Sequence, residues 1–385
     1  MTNTIDQVLR HATDTGDVPG VVACVANDRE VIYEGAFGKR SLNAATPMTV
    51  DTVFRIASMT KAVTSVAAIQ LVEQGKLQLD QTVASVIPAF GELQVLVGFY
   101  GDNPALRPPT RQATIRHLLT HTSGLGYEIW NADLATYQKV TTTPGIVSGL
   151  KTAFRNPLVA DPGSMWNYGI NTDWLGYVVE EVSGQKLGAY MKRHIFDPLE
   201  MKDTSFNESE EQKARMVTVH TRQADGSLTP IDFSWPTGRE FDNGGHGLVS
   251  TAQDYIAFVR MLLNEGTLNG SRILRSDTVT QMRQNHIGDL LVTTMKTANP
   301  AMSNDAEFFP GMKKKHGLGF VINTEQWPGM RAAGSCCWAG LFNSFYWFDR
   351  TKRVAATILM QILPFADQKA MELYTAFEKA AYASV

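Results

Sequence analysis

Phe54-Arg55-Ile56-Ala57-Ser58-Met59-Thr60-Lys61 is the stretch on which the reading of this chain turns. Ser58 follows a β-favouring run and opens a long apolar, helix-like segment, Ala62 to Val72. A three-residue step is nearly one helical turn, so the Lys61 amine can lie beside the Ser58 hydroxyl. A serine hydroxyl is a weak nucleophile at neutral pH and needs a base. A lysine in apolar surroundings gives up its proton readily enough to serve as one. The start of a helix also favours negative charge developing near Ser58. The plainer reading of the same residues is a helix N-cap serine with a lysine in the first turn. The spacing recurs at Ser148 with Lys151 and at Ser183 with Lys186, but each of those serines precedes a glycine and reads as a turn or cap.

A chain of 385 residues can bury a large core, and 44% hydrophobic with 19% charged residues is the balance of an ordinary globular protein. The formal net charge is -3 with no basic block, which argues against nucleic acid as a partner; Lys313-Lys314-Lys315 is expected to be a solvated loop. No apolar run approaches the roughly 18 residues of a membrane span, so no membrane partner is expected. The first residues form an amphipathic pattern, with Ile5, Val8, Leu9 and Ala12 on one face, and not a basic region followed by an apolar one. A cytoplasmic protein is expected on that ground. The three cysteines agree with it: Cys24 lies in a strand-like run, and the vicinal Cys336-Cys337 suit no ordinary disulfide.

Val21 to Ala26 and Val31 to Phe37 are β-like runs separated by Asn27-Asp28-Arg29-Glu30, and read as a hairpin. Ser344 to Phe348 and Val354 to Met360 read as a second hairpin, followed by a helix from Ala366 to about Ala381; Gly317 to Ile322 offers another strand. Between these ends the periodic segments are mostly helical: 60–74, 115–120, 172–183, 186–195 and 252–263. Pro- and Gly-rich loops separate them, notably Phe99 to Pro109. The expected class is α/β. One antiparallel sheet, flanked by helices, is built from the N- and C-terminal parts, with a mostly helical lobe inserted. A single catalytic domain, 1–385, is expected, with residues 1–75 and 264–385 in the α/β lobe and 76–263 in the helical one. A cleft between lobes is the expected place for a site.

Asp161-Pro162-Gly163-Ser164-Met165-Trp166-Asn167-Tyr168 is a turn running into aromatics, just ahead of a helix starting near Thr172. A tyrosine so placed can project into a cleft, where a neighbouring ammonium would lower its phenol pKa. Beside Lys61, Tyr168 would shuttle the Ser58 proton to a leaving group. The alternative is an aromatic that packs with Trp166 and makes one hydrogen bond. His121 reads as structural in its loop, His246 and His316 as loop histidines bordering a cleft, and Asp173 as a helix cap. No G-x-S-x-G, H-E-x-x-H, C-x-x-C, P-loop or helix-opening G-x-G-x-x-G occurs, so neither a metal nor a cofactor is expected.

Ser58, Tyr168 and Cys337-Trp338-Ala339-Gly340-Leu341-Phe342-Asn343 together resemble the serine β-lactamase-like superfamily. It holds class C β-lactamases, D-alanyl-D-alanine carboxypeptidases and family VIII carboxylesterases. The resemblance spans nearly the whole chain and includes His117 to Leu125 and Gly247 to Tyr255. It implies Ser58 as nucleophile, Lys61 as base, Tyr168 as proton shuttle, and the backbone N–H groups of Ser58 and Leu341 as the oxyanion hole. It also places Trp338-Ala339-Gly340 on an edge strand lining the cleft, with Gly340 leaving room for the substrate.

In antibiotic-binding members Lys/His and Thr/Ser hold a substrate carboxylate where this chain has Trp338 and Ala339. Ile170 stands where an asparagine would bind the antibiotic amide, with Asn171 one place late. A Trp338 wall favours neutral, apolar groups. W-x-G is the pattern of family VIII esterases, so a carboxylesterase for small neutral esters is expected first. An acyltransferase, a weak β-lactamase or D-amino-acid peptidase, and a catalytically dead binding module stand behind it.

Overall fold

The computed structural model describes residues 2–384. Seven antiparallel strands form the main sheet, in the order Lys314–His316, Val321–Asn323, Cys336–Gly340, Ser344–Asp349, Val354–Leu359, Gly20–Ala26, Val31–Gly38. The two ends of the chain meet where Val22 lies opposite Leu359 and Cys24 opposite Thr357. Both expected hairpins are present, and the sheet is mixed from the two termini as the sequence implied. Its central strands are buried along their whole length, which is why they read as continuous apolar runs rather than as alternating ones.

Side chains alternate across this sheet and recruit a different helix on each face. Phe345 stacks on Tyr374, and Trp347 meets Phe377, on the C-terminal helix Gln368–Tyr382. Tyr346, pointing the other way, meets Tyr255 of the helix Ala252–Leu263. That helix was expected in the inserted lobe, but its apolar face packs on the sheet. The C-terminal helix is pinned by a buried pair. Arg331 donates to Glu378 at 2.7 and 2.6 Å and to the Tyr374 hydroxyl at 2.6 Å.

Four local expectations fail. Most of the Pro- and Gly-rich loop expected from Phe99 to Pro109 is instead part of a hairpin of Val95–Tyr100 and Asn103–Arg107, with Gly101 at φ +60° supplying the turn. Gly317 to Phe320 is the turn between two short strands, closed by Gly317 N–H donating to the Phe320 carbonyl. Lys314 is buried in the first of those strands because Glu307 accepts its ammonium at 2.7 Å. The helix expected over 186–195 winds regularly only from Leu187 to Met191 and continues as a wider π turn, Lys192–Phe196.

Helix Thr60–Glu73 is buried from Thr60 to Leu71 and packs on helix Asn171–Ser183. It has no solvent face of its own, which explains its unbroken apolar run. Among the described residues no helix is long and apolar enough to cross a membrane.

Candidate active site

The chain reaches Ser58 under tight control. Phe54 and Arg55 pair with Ser250 and Val249, and the Ile56 N–H donates to the Leu248 carbonyl at 3.1 Å. Ala57 then sits at φ +43°, a left-handed conformation that costs an alanine about 1–2 kcal/mol. This bend turns the backbone into a short 3₁₀ segment, Ala57–Met59, that runs into the helix, and it leaves Ser58 half-buried.

Lys61 lies one turn on, fully enclosed. Its Nζ is 3.2 Å from Ser58 Oγ, 3.0 Å from the Tyr127 hydroxyl and 2.7 Å from the Gly245 carbonyl oxygen. Burial pushes the Lys61 pKa well below the usual lysine range, and the Asp173 carboxylate pulls back against that shift. The N-cap reading of Ser58 fails, because no side chain caps this helix.

Tyr168 is buried beside them; the Trp338 indole N–H donates to its oxygen at 3.4 Å, and the Ser58 hydroxyl lies close by. The Lys61 ammonium rests over the Tyr168 ring, 4.8 Å from its centre, and not at its hydroxyl. The expected lowering of the Tyr168 pKa therefore does not occur: burial raises it and outweighs the opposing pull of Ser58 and Trp338. Tyr168 is a neutral phenol, and Lys61 is the group whose proton is easily lost. Tyr168 also packs with Trp166 as the alternative reading had it, so the two descriptions are compatible.

The other S-x-x-K pairs stand apart from this site. Ser148 donates to the Gly145 carbonyl in a turn. Ser183 ends its helix and accepts from Gln185 N–H, while Lys186 pairs with Glu180 at the surface.

The third stretch needs correction. Cys336–Gly340 is an interior strand, but its neighbour pairs only with Cys336 and Cys337, so the Trp338–Gly340 end has no partner on that side. Gly340 does not make room for substrate. A Cβ there would lie 2.4 Å from the Ile56 carbonyl oxygen, so glycine is required for this strand to approach the nucleophile segment. Trp338 is buried among Tyr168, Phe308 and His121. Neither it nor Ala339, Gly340 or Ile170 lines the apolar pocket that opens on Ser58; Leu341 does. Ile170 is buried just before its helix, and the fully buried Asn171 amide is spent on His121 Nδ1 at 3.0 Å. His121 is structural, as expected, in a loop that holds it at φ +56°.

That pocket is a cavity of about 60 Å³ walled by Ile129, Trp130, Val147, Phe233, Trp235 and Met302. His246 also borders it, and burial pushes its pKa down to about 3, so it is neutral there. His316 lies instead in the aromatic cluster around His121 and Trp338.

The residues that sequence reasoning missed surround Lys61. Tyr127 donates to Asp173 Oδ2 at 3.3 Å, and Gly245 N–H donates to Asp173 Oδ1 at 3.0 Å. Asp173 is fully buried and caps nothing; its carboxyl is pushed up by burial against the pull of Lys61. Tyr127 comes two residues after the Leu125 segment already singled out, and the Gly244-Gly245-His246 run was the other available signal. Among the described residues no His, Cys, Asp and Glu side chains gather into a metal-binding group.

A mixed-terminus antiparallel sheet, a buried helix that begins with serine and lysine, and a strand end pressed against that serine define the serine β-lactamase and penicillin-binding-protein fold. The Beta-lactamase family model matches residues 5–381, and the chain belongs to that family. The lovastatin esterase of Penicillium rubens is 31% identical over 380 residues, covering 94% of this chain and 93% of that protein. The monacolin J acid methylbutanoyltransferase of Aspergillus terreus is 30% identical over 397 residues, covering 98% and 95%. Among solved structures, unliganded simvastatin synthase from Aspergillus terreus matches with a TM-score of 0.85 at 29% identity, covering 99% of this chain and 97% of that one.

Proposed function

We propose that this chain is a serine acyltransferase that moves a short acyl group from an ester to an alcohol, with hydrolysis as the competing branch. The observation that carries this reading is the 3.2 Å approach of Lys61 Nζ to Ser58 Oγ at the mouth of an apolar pocket. In the first half-reaction the neutral Lys61 amine takes the Ser58 proton while Oγ bonds to the ester carbonyl carbon. The backbone N–H groups of Ser58 and Leu341 receive the developing oxyanion, the kind of contact worth roughly 3 kcal/mol per donor. The carbon–oxygen bond to the leaving alcohol then breaks, and the Lys61 proton is delivered to that oxygen while the neutral Tyr168 phenol beside Ser58 donates a hydrogen bond to it. An acceptor alcohol reverses the path, giving its proton to Lys61 and displacing Ser58, which is reprotonated.

Weight shifts from hydrolysis, which the sequence put first, to transfer. Transferases stand beside the esterase among the relatives. The walls of the pocket are apolar on most sides, so water is poorly held next to an acyl-enzyme there. The apolar side chains Ile129, Val147 and Met302 along it suit the hydrocarbon part of an acyl group. The W-x-G stretch, as in family VIII esterases, supports the hydrolytic branch. Trp338 and Ala339 offer no cation for a substrate carboxylate, which weighs against β-lactams and D-alanyl peptides as main substrates. Three free, buried thiols fit residence in a reducing compartment such as the cytoplasm.

The test is a partition experiment. A p-nitrophenyl butyrate assay with rising concentrations of a primary alcohol should give the butyrate ester of that alcohol as the major product. Butyric acid alone at every alcohol concentration would return the chain to the esterases. Faster turnover of a cephalosporin than of the ester would defeat both readings.

A further inference from the structure

We infer that Tyr127 and Asp173 are positioning residues that aim the free electron pair of Lys61 at Ser58. The inference rests on the reading of Lys61 as the base. A neutral amine has two N–H bonds and one electron pair. Around Lys61 Nζ stand three oxygens: Gly245 O at 2.7 Å, Tyr127 OH at 3.0 Å and Ser58 Oγ at 3.2 Å. Gly245 O can only accept, so it takes one N–H. Tyr127 OH can donate or accept, and this ambiguity is what Asp173 removes. The Asp173 carboxylate accepts a hydrogen bond from the Tyr127 O–H at 3.3 Å, leaving the phenol oxygen to accept the second N–H. The electron pair is then left facing Ser58.

The same carboxylate fixes the other acceptor. Its second oxygen accepts the Gly245 N–H at 3.0 Å, so one residue is held by Asp173 through its N–H and by Lys61 through its carbonyl. Glycine is needed at that position, because a Cβ on Gly245 would lie 2.3 Å from Asp173 Oδ2 and 2.9 Å from the Tyr127 oxygen. Without Asp173 the Tyr127 proton is free to turn toward Lys61 and occupy the pair that should receive the Ser58 proton. An amide at 173 is worse than a gap. Its oxygen would suit Gly245 N–H, and its NH₂ would donate to Tyr127 and push the phenol proton onto Lys61.

Asp173 also sets where Lys61 titrates. The charged and titratable groups around the pair are Tyr127 and Glu128 on one loop, Tyr168 and His121 on two others, and His246 with Arg239 beyond it. Asp173 is the group whose charge acts on Lys61. It favours the ammonium, so removing the charge lowers the lysine pKa. The acid limb of activity, where the amine becomes protonated, then moves to lower pH.

The test uses Asp173→Asn and Tyr127→Phe in the full chain. The readouts are the pH profile of kcat/KM for p-nitrophenyl butyrate and the rate at which diethyl p-nitrophenyl phosphate labels Ser58. Asp173→Asn should lower the plateau at least tenfold and shift the acid limb down by about one pH unit. Tyr127→Phe should slow labelling about tenfold with KM little changed. If wild-type Ser58 is not labelled at all, the base reading itself fails. If wild type is labelled, and both variants label at the wild-type rate with an unmoved acid limb, Tyr127 and Asp173 are packing residues and the inference is overturned alone. Should Asp173→Asn not fold, Tyr127→Phe decides: labelling within twofold of wild type refutes the positioning role.

Discussion

Gly340→Ala should damage catalysis uniformly rather than narrow the substrate range. The new Cβ would stand 2.4 Å from the Ile56 carbonyl oxygen, about 1 Å inside ordinary contact. Neither side yields easily. Gly340 is paired with Ser344 in the sheet, and Ile56 is tied to Leu248 by its N–H. Overpacking of this kind costs about 1–3 kcal/mol of stability. The larger effect is geometric. Leu341 follows Gly340 and Ser58 follows Ala57, so separating the two backbones by even part of that ~1 Å pulls apart the two N–H groups proposed as oxyanion donors. Loss of one such donor lowers kcat by roughly 10²–10³. The assay is kcat and KM for acetyl, butyryl and hexanoyl p-nitrophenyl esters, with a thermal melt to confirm folding. Equal losses in kcat across the three chains are expected. A variant with kcat within threefold of wild type for acetate and a selective loss for hexanoate would show that Gly340 makes room for substrate after all.

Lys61→Ala and Tyr168→Phe should each lower kcat by roughly a hundredfold or more, and the double variant should be little worse than the poorer single one, since both act on one proton path. Wild-type activity should fall as pH drops below neutral, because the base must be neutral and burial has already brought the Lys61 pKa down; a profile flat to pH 5 would remove Lys61 from that role. Ser148→Ala and Ser183→Ala should keep turnover within a few-fold of wild type. Arg331→Leu should destabilise the fold by about 3–5 kcal/mol in a urea melt, because the buried Glu378 would lose its partner. The Arg331→Leu, Glu378→Leu double variant should recover part of that loss.

The parts of this fold that were legible in the sequence are those whose signal is local. The hairpin of Gly20–Ala26 and Val31–Gly38 announces itself by two apolar runs around a polar turn. Ser58 and Lys61 are one helical turn apart, so their meeting follows from spacing alone. The environment of Lys61 was not legible because it is assembled from distant stretches. Tyr127 lies 66 residues from Lys61 in sequence, and Gly245 lies 184. Asp173 misled for a related reason. In the first turn of a helix an aspartate looks like a cap, and only the arrival of Gly245 and Tyr127 makes it a buried acceptor. Gly340 was read for what a missing side chain lets in, whereas the fold uses it for what the backbone must touch. Tyr168 shows the limit of proximity arguments. Lys61 lies near it but over the ring face, and burial decides its pKa.

The central claim is that turnover passes through an acyl group on Ser58. Rapid acid quenching during turnover of p-nitrophenyl butyrate, followed by intact-mass and peptide mass spectrometry, tests it directly. The account predicts a butyryl adduct on the peptide that contains Ser58, absent from Ser58→Ala and depleted when an acceptor alcohol is present. Steady turnover with no adduct on that peptide, or a butyryl group on Ser148 or Ser183 instead, would contradict it.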